Sequence, residues 1–217
     1  MTDLIVHHLE RSRSQRLLWL LEELGLDYSM KTYARNAEGR APAELRQIHP
    51  LGKSPVLQHG DVVLAESGAI VEYVLDELAD GRLRPAPGTA AHRDYRFWLH
   101  FAEGSMMAPL LVKLLFDRLR SNIPLLGRII ANTVDQRFTM GEIHAHLGYV
   151  ERSLEGRDWL AGELSGADVM MSYPVLAALS RGGVGDRYPR VKEYVARFEA
   201  RPAYKRAIDK GGPVLLE

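Results

Sequence analysis

In the first third of the chain, hydrophobic residues occur mostly in short runs separated by polar residues. In the rest of the chain they recur at helical spacing. Residues 4–9 form an apolar run of strand length, and residues 17–24 are apolar nearly all round and end at Gly25, a residue typical of helix ends. Residues 28–33 contain aromatic and β-branched side chains that favour a strand. The opening pattern therefore predicts a β-α-β unit with two parallel strands.

A second group of elements follows a polar loop. A short helix is predicted over residues 42–48, and a hairpin where residues 56–58 and 62–65 flank a turn that contains Gly60. Apolar side chains then recur at helical spacing over residues 67–78. The predicted order is β-α-β, then α, β-β and α.

A segment rich in Gly and Pro, residues 80–89, is predicted to be a linker. Beyond it the chain has helical patterns only, over residues 90–119, 128–154, 168–179 and 189–199, with a short one near Tyr204. The simplest division is an α/β domain over residues 1–81 followed by an all-helical domain over residues 90–217.

Composition narrows the chemistry. The 217 residues contain 28 basic and 28 acidic side chains, so no net field favours nucleic acid or an anionic membrane. The chain has no cysteine, which excludes disulfides, cysteine-ligated metals and a nucleophilic thiol of its own. A thiol used here must arrive on a substrate. The N-terminus lacks a secretory pattern and no uncharged apolar run reaches about 18 residues, so we expect a cytoplasmic protein that does not enter a membrane.

Five segments carry a family resemblance: Ser-Arg-Ser-Gln-Arg at 12–16, Pro-Leu-Gly-Lys-Ser-Pro-Val-Leu at 50–57, Glu-Ser at 66–67, a helix start at 165–168, and a Tyr-Pro and Phe-Glu-Ala-Arg-Pro-Ala-Tyr segment within 188–208. No single segment is specific, but their order and spacing together are. They resemble the cytosolic glutathione S-transferases, closest to the serine-type bacterial and fungal members (theta- and phi-like), over nearly the whole chain.

This resemblance implies a thioredoxin-like N-terminal domain that binds glutathione as co-substrate. It also implies a helical C-terminal domain that binds a small hydrophobic electrophile, and a homodimer. We expect no metal, because the eight histidines are scattered and His144 and His146, two residues apart, point to different sides of a helix.

The resemblance assigns the catalytic hydroxyl to Ser12, as a hydrogen-bond donor to the glutathione thiolate. Free thiols have a pKa near 8.5, and lowering it by about two units takes roughly 2.7 kcal/mol. One hydrogen bond to a charged group, about 1.5–3 kcal/mol, supplies this. Ser14 is a rival, and a capping box from Ser12 to Gln15 is the purely structural alternative. His7 and His8 are interpreted as ordinary strand residues.

Four further residues are matched to the tripeptide. Lys53 would pair with the glycine carboxylate, and Ser54 would precede a cis-proline and offer its backbone to the cysteinyl part. Glu66 would face the γ-glutamyl ammonium, and Ser67 its carboxylate at a helix N-terminus. The alternatives are an ordinary surface lysine and a plain helix cap. The family usually has valine before this proline, and the sequence gives no role to the serine side chain.

Other positions stay open. Arg40 is a possible second carboxylate contact. Glu103 lies where family members place residues that face the dimer interface and the active-site cleft. The preferred interpretation is nevertheless a solvated charge on a helix. Apolar side chains within residues 106–116 line a pocket or the core. Ser165 and Asp168 fit a structural capping box.

The expected function is conjugation of glutathione to small hydrophobic electrophiles. Glutathione-dependent peroxidase, isomerase or dehalogenase activity would use the same thiolate. A non-catalytic interaction protein on the same scaffold is the alternative from another class.

Overall fold

The computed structural model describes residues 3–215, so the outermost positions of the predicted domains 1–81 and 90–217 lie outside the described residues. Its strands are β1 (Leu4–Leu9), β2 (Ser29–Tyr33), β3 (Val56–His59) and β4 (Val62–Ala65). They form one sheet in the order β2-β1-β3-β4, in which β1 is parallel to β2 and antiparallel to β3. The predicted parallel pair and the predicted hairpin are both confirmed.

Three helices accompany this sheet: α1 (Gln15–Leu24), α2 (Leu45–Ile48) and α3 (Ser67–Glu77). Helix α1 is buried along almost its whole length, as its apolar sequence predicts. It begins two residues before the predicted start, so that the polar Gln15 and Arg16 are buried too. The order and packing of these elements confirm the predicted thioredoxin-like domain.

The second part of the chain is helical, apart from two isolated bridges at residues 159–163. Its α-helices are α4 (Ala90–Phe101), α5 (Met107–Asn122), α6 (Pro124–Val134), α7 (Met140–Ser153), α8 (Gly166–Arg181), α9 (Pro189–Glu199) and α10 (Pro202–Gly211). Short π-helical segments, Ala102–Met106 and Asp135–Thr139, interrupt the two long predicted helices. The short helix predicted near Tyr204 is the ten-residue α10.

Helix α1 packs against helices of the second domain as well as against its own sheet. The Trp19 ring lies 5.4 Å from the rings of Phe198 and Tyr204, measured between ring centres. The Gln15 side-chain amide donates to the Ala207 carbonyl at 2.7 Å. The hydrophobic core is therefore continuous from the sheet through α1 into the helical domain.

The capping box predicted at the start of α8 is present. The Asp168 carboxylate accepts from the Ser165 N–H (2.9 Å) and hydroxyl (3.1 Å), from the Leu160 N–H (3.0 Å) and from the Tyr194 hydroxyl (3.1 Å). Complete burial raises the pKa of the Asp168 carboxyl to about 6 in spite of these four donors. Asp168 thus joins the start of α8 to α9.

The stretch Ala90–Asn122 is long and apolar enough to cross a membrane by length and composition alone. It contains no uncharged run of about 18 residues, because Glu103, Lys113 and Asp117 are among the charged residues that interrupt it. A core helix of a globular protein passes the same test, so length and composition are weak evidence for a membrane-spanning helix.

Candidate active site at the first helix

The turn between β1 and α1 holds two buried serines. Ser12 is 6% exposed and Ser14 is fully buried, and their Oγ atoms lie 2.8 Å apart. The Ser14 N–H also donates to Ser12 Oγ, at 3.2 Å. Ser14 occupies the N-cap position of α1, yet its side chain makes no capping bond, and the Gln15 side chain points away to α10. The capping box considered for Ser12 and Gln15 is therefore absent.

His8 extends this pair of hydroxyls into the protein interior. Its Nδ1 lies 2.8 Å from Ser14 Oγ, and its Nε2 lies 2.9 Å from the carbonyl oxygen of Gly211, at the end of α10. The ring is fully buried, and this burial lowers the pKa of His8, against the effects of the Gly211 carbonyl and Glu10. The interpretation of His8 as an ordinary strand residue missed these contacts, since strand alternation does not indicate partners in other elements such as Gly211.

The Ser54–Pro55 peptide bond is cis, as the resemblance implies. Ser54 Oγ accepts from the Leu9 N–H at 3.2 Å and donates to the His7 carbonyl at 3.1 Å. These bonds give the side chain a structural role that the sequence alone did not reveal. They tie the loop before β3 to the end of β1, and place Ser54 beside Ser14, which shares the same Leu9 N–H.

The N-terminus of α3 offers backbone N–H donors that its own helix does not use. The first bond of this helix runs from the Ile70 N–H to the Glu66 carbonyl, so the preceding N–H groups of Ser67, Gly68 and Ala69 have no acceptor within the helix. Such N–H groups and the helix dipole attract anions. Glu66 has φ +72° and ψ 120°, an unfavourable conformation for a residue with a side chain, and strain of this kind clusters at functional sites.

Arg16 lies behind this helix end, fully enclosed. One of its terminal nitrogens donates to the Met170 carbonyl at 2.8 Å, and the other to Ser67 Oγ at 3.2 Å. Four residues after Met170, Pro174 lies inside α8 and has no N–H, so the Met170 carbonyl lacks its normal helical donor. The guanidinium supplies that donor, which explains why a charged side chain is buried at this point.

Glu103, in the π-helical segment after α4, neutralises the buried arginine. Its carboxylate pairs with the guanidinium of Arg16, and lies 3.6 Å from that of Arg13. The interpretation of Glu103 as a solvated helix charge is therefore wrong. The sequence around Arg16 does not indicate this contact, because Glu103 and Met170 lie far along the chain.

Two groups of predicted site residues are brought together by described contacts. Ser12 and Ser54 both bind the strand end of β1 through Ser14 and the Leu9 N–H. Ser67 joins the start of α1 through Arg16. Glu66 and Lys53 adjoin these residues along the chain, and both are exposed.

The apolar candidates of α5 divide between core and surface. Met106, Met107 and Leu110 are buried core residues, whereas Leu111 is 47% exposed. A large open cleft, about 570 Å³, runs along α4 past Phe97 and Phe101 and includes none of the predicted site residues. Among residues 3–215, no group of three acidic or histidine side chains is arranged to hold a metal ion.

The chain is similar to known proteins over nearly its whole length. Family models match it at residues 4–76 (glutathione S-transferase, N-terminal domain) and 131–210 (glutathione S-transferase, C-terminal domain). It is 32% identical to glutathione S-transferase 1 of Saccharomyces cerevisiae, over 94% of each chain. A crystal structure of a glutathione S-transferase from Actinobacillus pleuropneumoniae matches with TM-score 0.82 and 40% identity, over 97% of this chain and 94% of that one. A family member from Pseudomonas fluorescens with two glutathione bound matches with TM-score 0.75 and 25% identity, over 95% and 92%.

Proposed function

The chain belongs to the glutathione S-transferase family, and on that premise we propose that it conjugates the glutathione thiolate to small hydrophobic electrophiles. The observation that carries this proposal is the hydroxyl of Ser12, held in the turn before α1 and hydrogen-bonded to Ser14. The reaction needs a sulfur anion, and the chain has no cysteine, so glutathione supplies the sulfur.

Ser12 is the proposed partner of that sulfur. In the bound state its hydroxyl donates to the thiolate, which favours the charged form and lowers the thiol pKa. The adjacent N-terminus of α1 adds about 0.3–1 kcal/mol for a negative charge. Together these terms match the roughly 2.7 kcal/mol that a shift of about two pKa units requires.

The rest of the tripeptide is proposed to lie along the N-terminal domain. Lys53 pairs with the glycine carboxylate, and the backbone of Ser54 binds the cysteinyl part. Ser67 receives the γ-glutamyl carboxylate, and Glu66 faces its ammonium. Because Ser67 Oγ accepts from Arg16, its own hydrogen is free to point at a ligand. The N–H groups of Ser67, Gly68 and Ala69, which have no acceptor within α3, support an anion in the same place.

The electrophile is proposed to bind where α1 meets the helical domain. The contacts of Arg16 with Glu103 and Met170 support this, since they bring the segment after α4 and the first half of α8 to the start of α1. Domain bounds of 1–81 and 90–217 go with this proposal: the first binds the tripeptide and the second shapes the electrophile pocket.

We further propose a cytoplasmic homodimer with a role in detoxification, and no nucleic acid, metal or membrane as partner. The face of α4 is the proposed dimer surface: Phe97 there is 44% exposed beside the open cleft. Light scattering coupled to gel filtration tests the dimer, which predicts twice the chain mass of 24.4 kDa.

Glutathione binding followed by turnover tests the function. We expect calorimetric association with glutathione at millimolar concentration or tighter, and conjugation of aryl halides. Turnover of epoxides would also support conjugation, whereas turnover of hydroperoxides in preference to both would favour peroxidase chemistry at the same thiolate. Absence of binding would leave a non-catalytic interaction protein.

A further inference from the structure

A line of three polar side chains runs inward from the proposed sulfur site. It begins at Ser12, passes through Ser14 and ends at His8, with 2.8 Å between each pair of polar atoms. Beyond His8, at 2.9 Å, stands the carbonyl oxygen of Gly211. All three side chains are buried.

The hydrogens in the line have a defined direction. A carbonyl oxygen only accepts, so His8 carries its hydrogen on Nε2, facing Gly211. Burial lowers the pKa of His8, which keeps the ring neutral near pH 7 and leaves Nδ1 as an acceptor. Ser14 therefore donates to His8 Nδ1 at 2.8 Å, in preference to the Leu9 carbonyl at 3.3 Å.

This direction decides what Ser12 shows to a ligand. Ser14 Oγ accepts from the Leu9 N–H at 3.3 Å. Because Ser14 donates its own hydrogen to His8, its bond with Ser12 is one in which Ser12 donates and Ser14 accepts. Ser12 Oγ in turn accepts from the Ser14 N–H. One lone pair of Ser12 remains unused. In the free protein Ser12 thus presents an acceptor, which suits a neutral thiol rather than a thiolate.

We propose that the thiol proton of bound glutathione passes along this line to His8. The S–H bond breaks as an O–H bond forms on Ser12, the former Ser12 hydrogen moves to Ser14, and the former Ser14 hydrogen moves to His8 Nδ1. The products are a thiolate and an imidazolium, so mass and net charge are unchanged. This inference rests on the proposed function, because it requires glutathione at Ser12.

Every hydrogen bond of the line survives the transfer with its direction reversed. Ser12 then donates to the thiolate, Ser14 to Ser12, and His8 Nδ1 to Ser14, while Nε2 keeps its bond to Gly211. No buried polar atom of the line is left without a partner, which would otherwise cost about 1–3 kcal/mol. The line therefore has two satisfied states, one matched to the thiol and the other to the thiolate.

The charge of the thiolate is what allows a buried imidazolium. Among the described residues, the charged group that acts on His8 is Glu10, on the same strand, and it favours the proton. The other partners of the ring, the Ser14 hydroxyl and the Gly211 carbonyl, are neutral. Without glutathione, burial outweighs Glu10 and the ring stays neutral. With it, the two new charges form and compensate each other in a low-dielectric interior.

Proton counting on the unmodified protein tests the transfer. Glutathione binding is measured by calorimetry at pH 7 in buffers of different ionisation enthalpy, with thiolate formation followed by its ultraviolet absorbance. S-methylglutathione, which has no thiol, gives the background of protons exchanged by other groups. We expect thiolate absorbance with close to zero extra protons released, because His8 retains the proton.

Three variants sharpen the count. His8→Gln keeps an acceptor for Ser14 and a donor for Gly211 but holds no proton, so any thiolate formed should release about one proton per thiolate to the buffer. Ser14→Ala interrupts the line and should do the same. His7→Gln changes the neighbouring histidine, which bonds to Tyr33 instead, and should leave the wild-type count unchanged.

The outcomes separate this inference from the proposed function. Thiolate formation with about one extra proton released by the wild-type protein overturns the transfer and leaves the transferase proposal intact. Binding without thiolate also overturns the transfer. Absence of glutathione binding overturns both.

Discussion

The hydroxyl of Ser67 shows how one buried cation sets the direction of a hydrogen bond at the site. Arg16 donates to Ser67 Oγ, and Glu103 balances the charge of Arg16 from the other side. The guanidinium cannot accept, so the Ser67 hydrogen is left for a ligand oxygen. Binding at the proposed site of the γ-glutamyl carboxylate therefore depends on Arg16, a side chain that need not touch the ligand.

Ser12→Ala tests the thiolate contact directly. We expect the pKa of bound glutathione to rise by about one to two units, since a hydrogen bond to a charged group, about 1.5–3 kcal/mol, is lost. Affinity for the tripeptide should change little, because the other contacts remain. Thiolate absorbance against pH measures the first and calorimetry the second. An unchanged pKa would remove Ser12 from the mechanism.

Lys53→Glu tests the opposite combination. Charge reversal beside the glycine carboxylate should weaken glutathione binding roughly tenfold, about 1.4 kcal/mol, with a smaller effect at high salt. The pKa of the bound thiol should stay at its wild-type value. Arg40→Glu, measured alongside, decides whether that exposed residue is a second carboxylate contact. Equal affinity of Lys53→Glu and wild type would refute the role of Lys53.

At the scale of elements, the sequence pattern predicts those helix and strand bounds that depend on neighbouring residues. The strand β1 has the predicted bounds, and the hairpin strands lie within one residue of theirs. The start of α1 was misplaced because Gln15 and Arg16 are polar, and their partners, Ala207 and Met170, come from distant helices. No periodicity within residues 11–24 contains that information.

The site divides in the same way. The resemblance selected Ser12 and Ser67, whose roles remain predictions, from short motifs that keep their order along the chain. It gave no role to His8 or Arg16, and it placed Glu103 near the cleft without a partner, since each of the three acts through contacts between elements. Their common property, a polar side chain whose partners lie far along the chain, is visible only when the helices are assembled.

Helix α8 carries a testable pH dependence. The pKa of Asp168 is about 6 when folded and 3.8 in the reference state, so the folded protein binds the proton more tightly. The contribution of Asp168 to stability is therefore greatest below about pH 4 and falls as pH rises to 6, by about 3 kcal/mol. Urea unfolding at pH 4.5 and 7 should show this fall.

Asp168→Asn separates the pH dependence of stability due to Asp168 from that due to carboxylates whose pKa values are lowered in the folded protein. The variant should be less stable, since the amide cannot accept from all four donors, and the difference between wild type and variant should change with pH. Asp186→Asn, at a fully exposed position, is the matched control and should leave the pH dependence unchanged. A difference between wild type and Asp168→Asn that is constant from pH 4.5 to 7 would contradict the raised pKa.

At the scale of the whole molecule, the two domains share one core. Trp19 of the first domain packs on Phe198 and Tyr204 of the second, and Glu22 binds Arg206 at 2.8 Å. Neither domain buries these surfaces alone. The division predicted from the sequence therefore separates the α/β elements from the helical ones, but it does not separate two hydrophobic cores.

Cooperative unfolding follows from that shared core. We expect tryptophan fluorescence and far-ultraviolet circular dichroism to report a single coincident transition in urea, because separating the domains would expose α1. A variant with Trp98 and Trp159 replaced by Phe leaves Trp19 as the reporter of the first domain. Two separated transitions would show that the domains unfold independently.

The docking of α10 on the first domain has a consequence for synthesis of the protein. The segment that covers α1 and holds His8 at Gly211 is translated about 130 residues after residue 81, which at 5–20 residues per second takes roughly 7–26 s. For that time the nascent first domain carries a leucine-rich helix with one side bare. Until α10 has been synthesised, the first domain is incomplete. We expect a chaperone that binds exposed leucine side chains to bind the nascent chain in this interval.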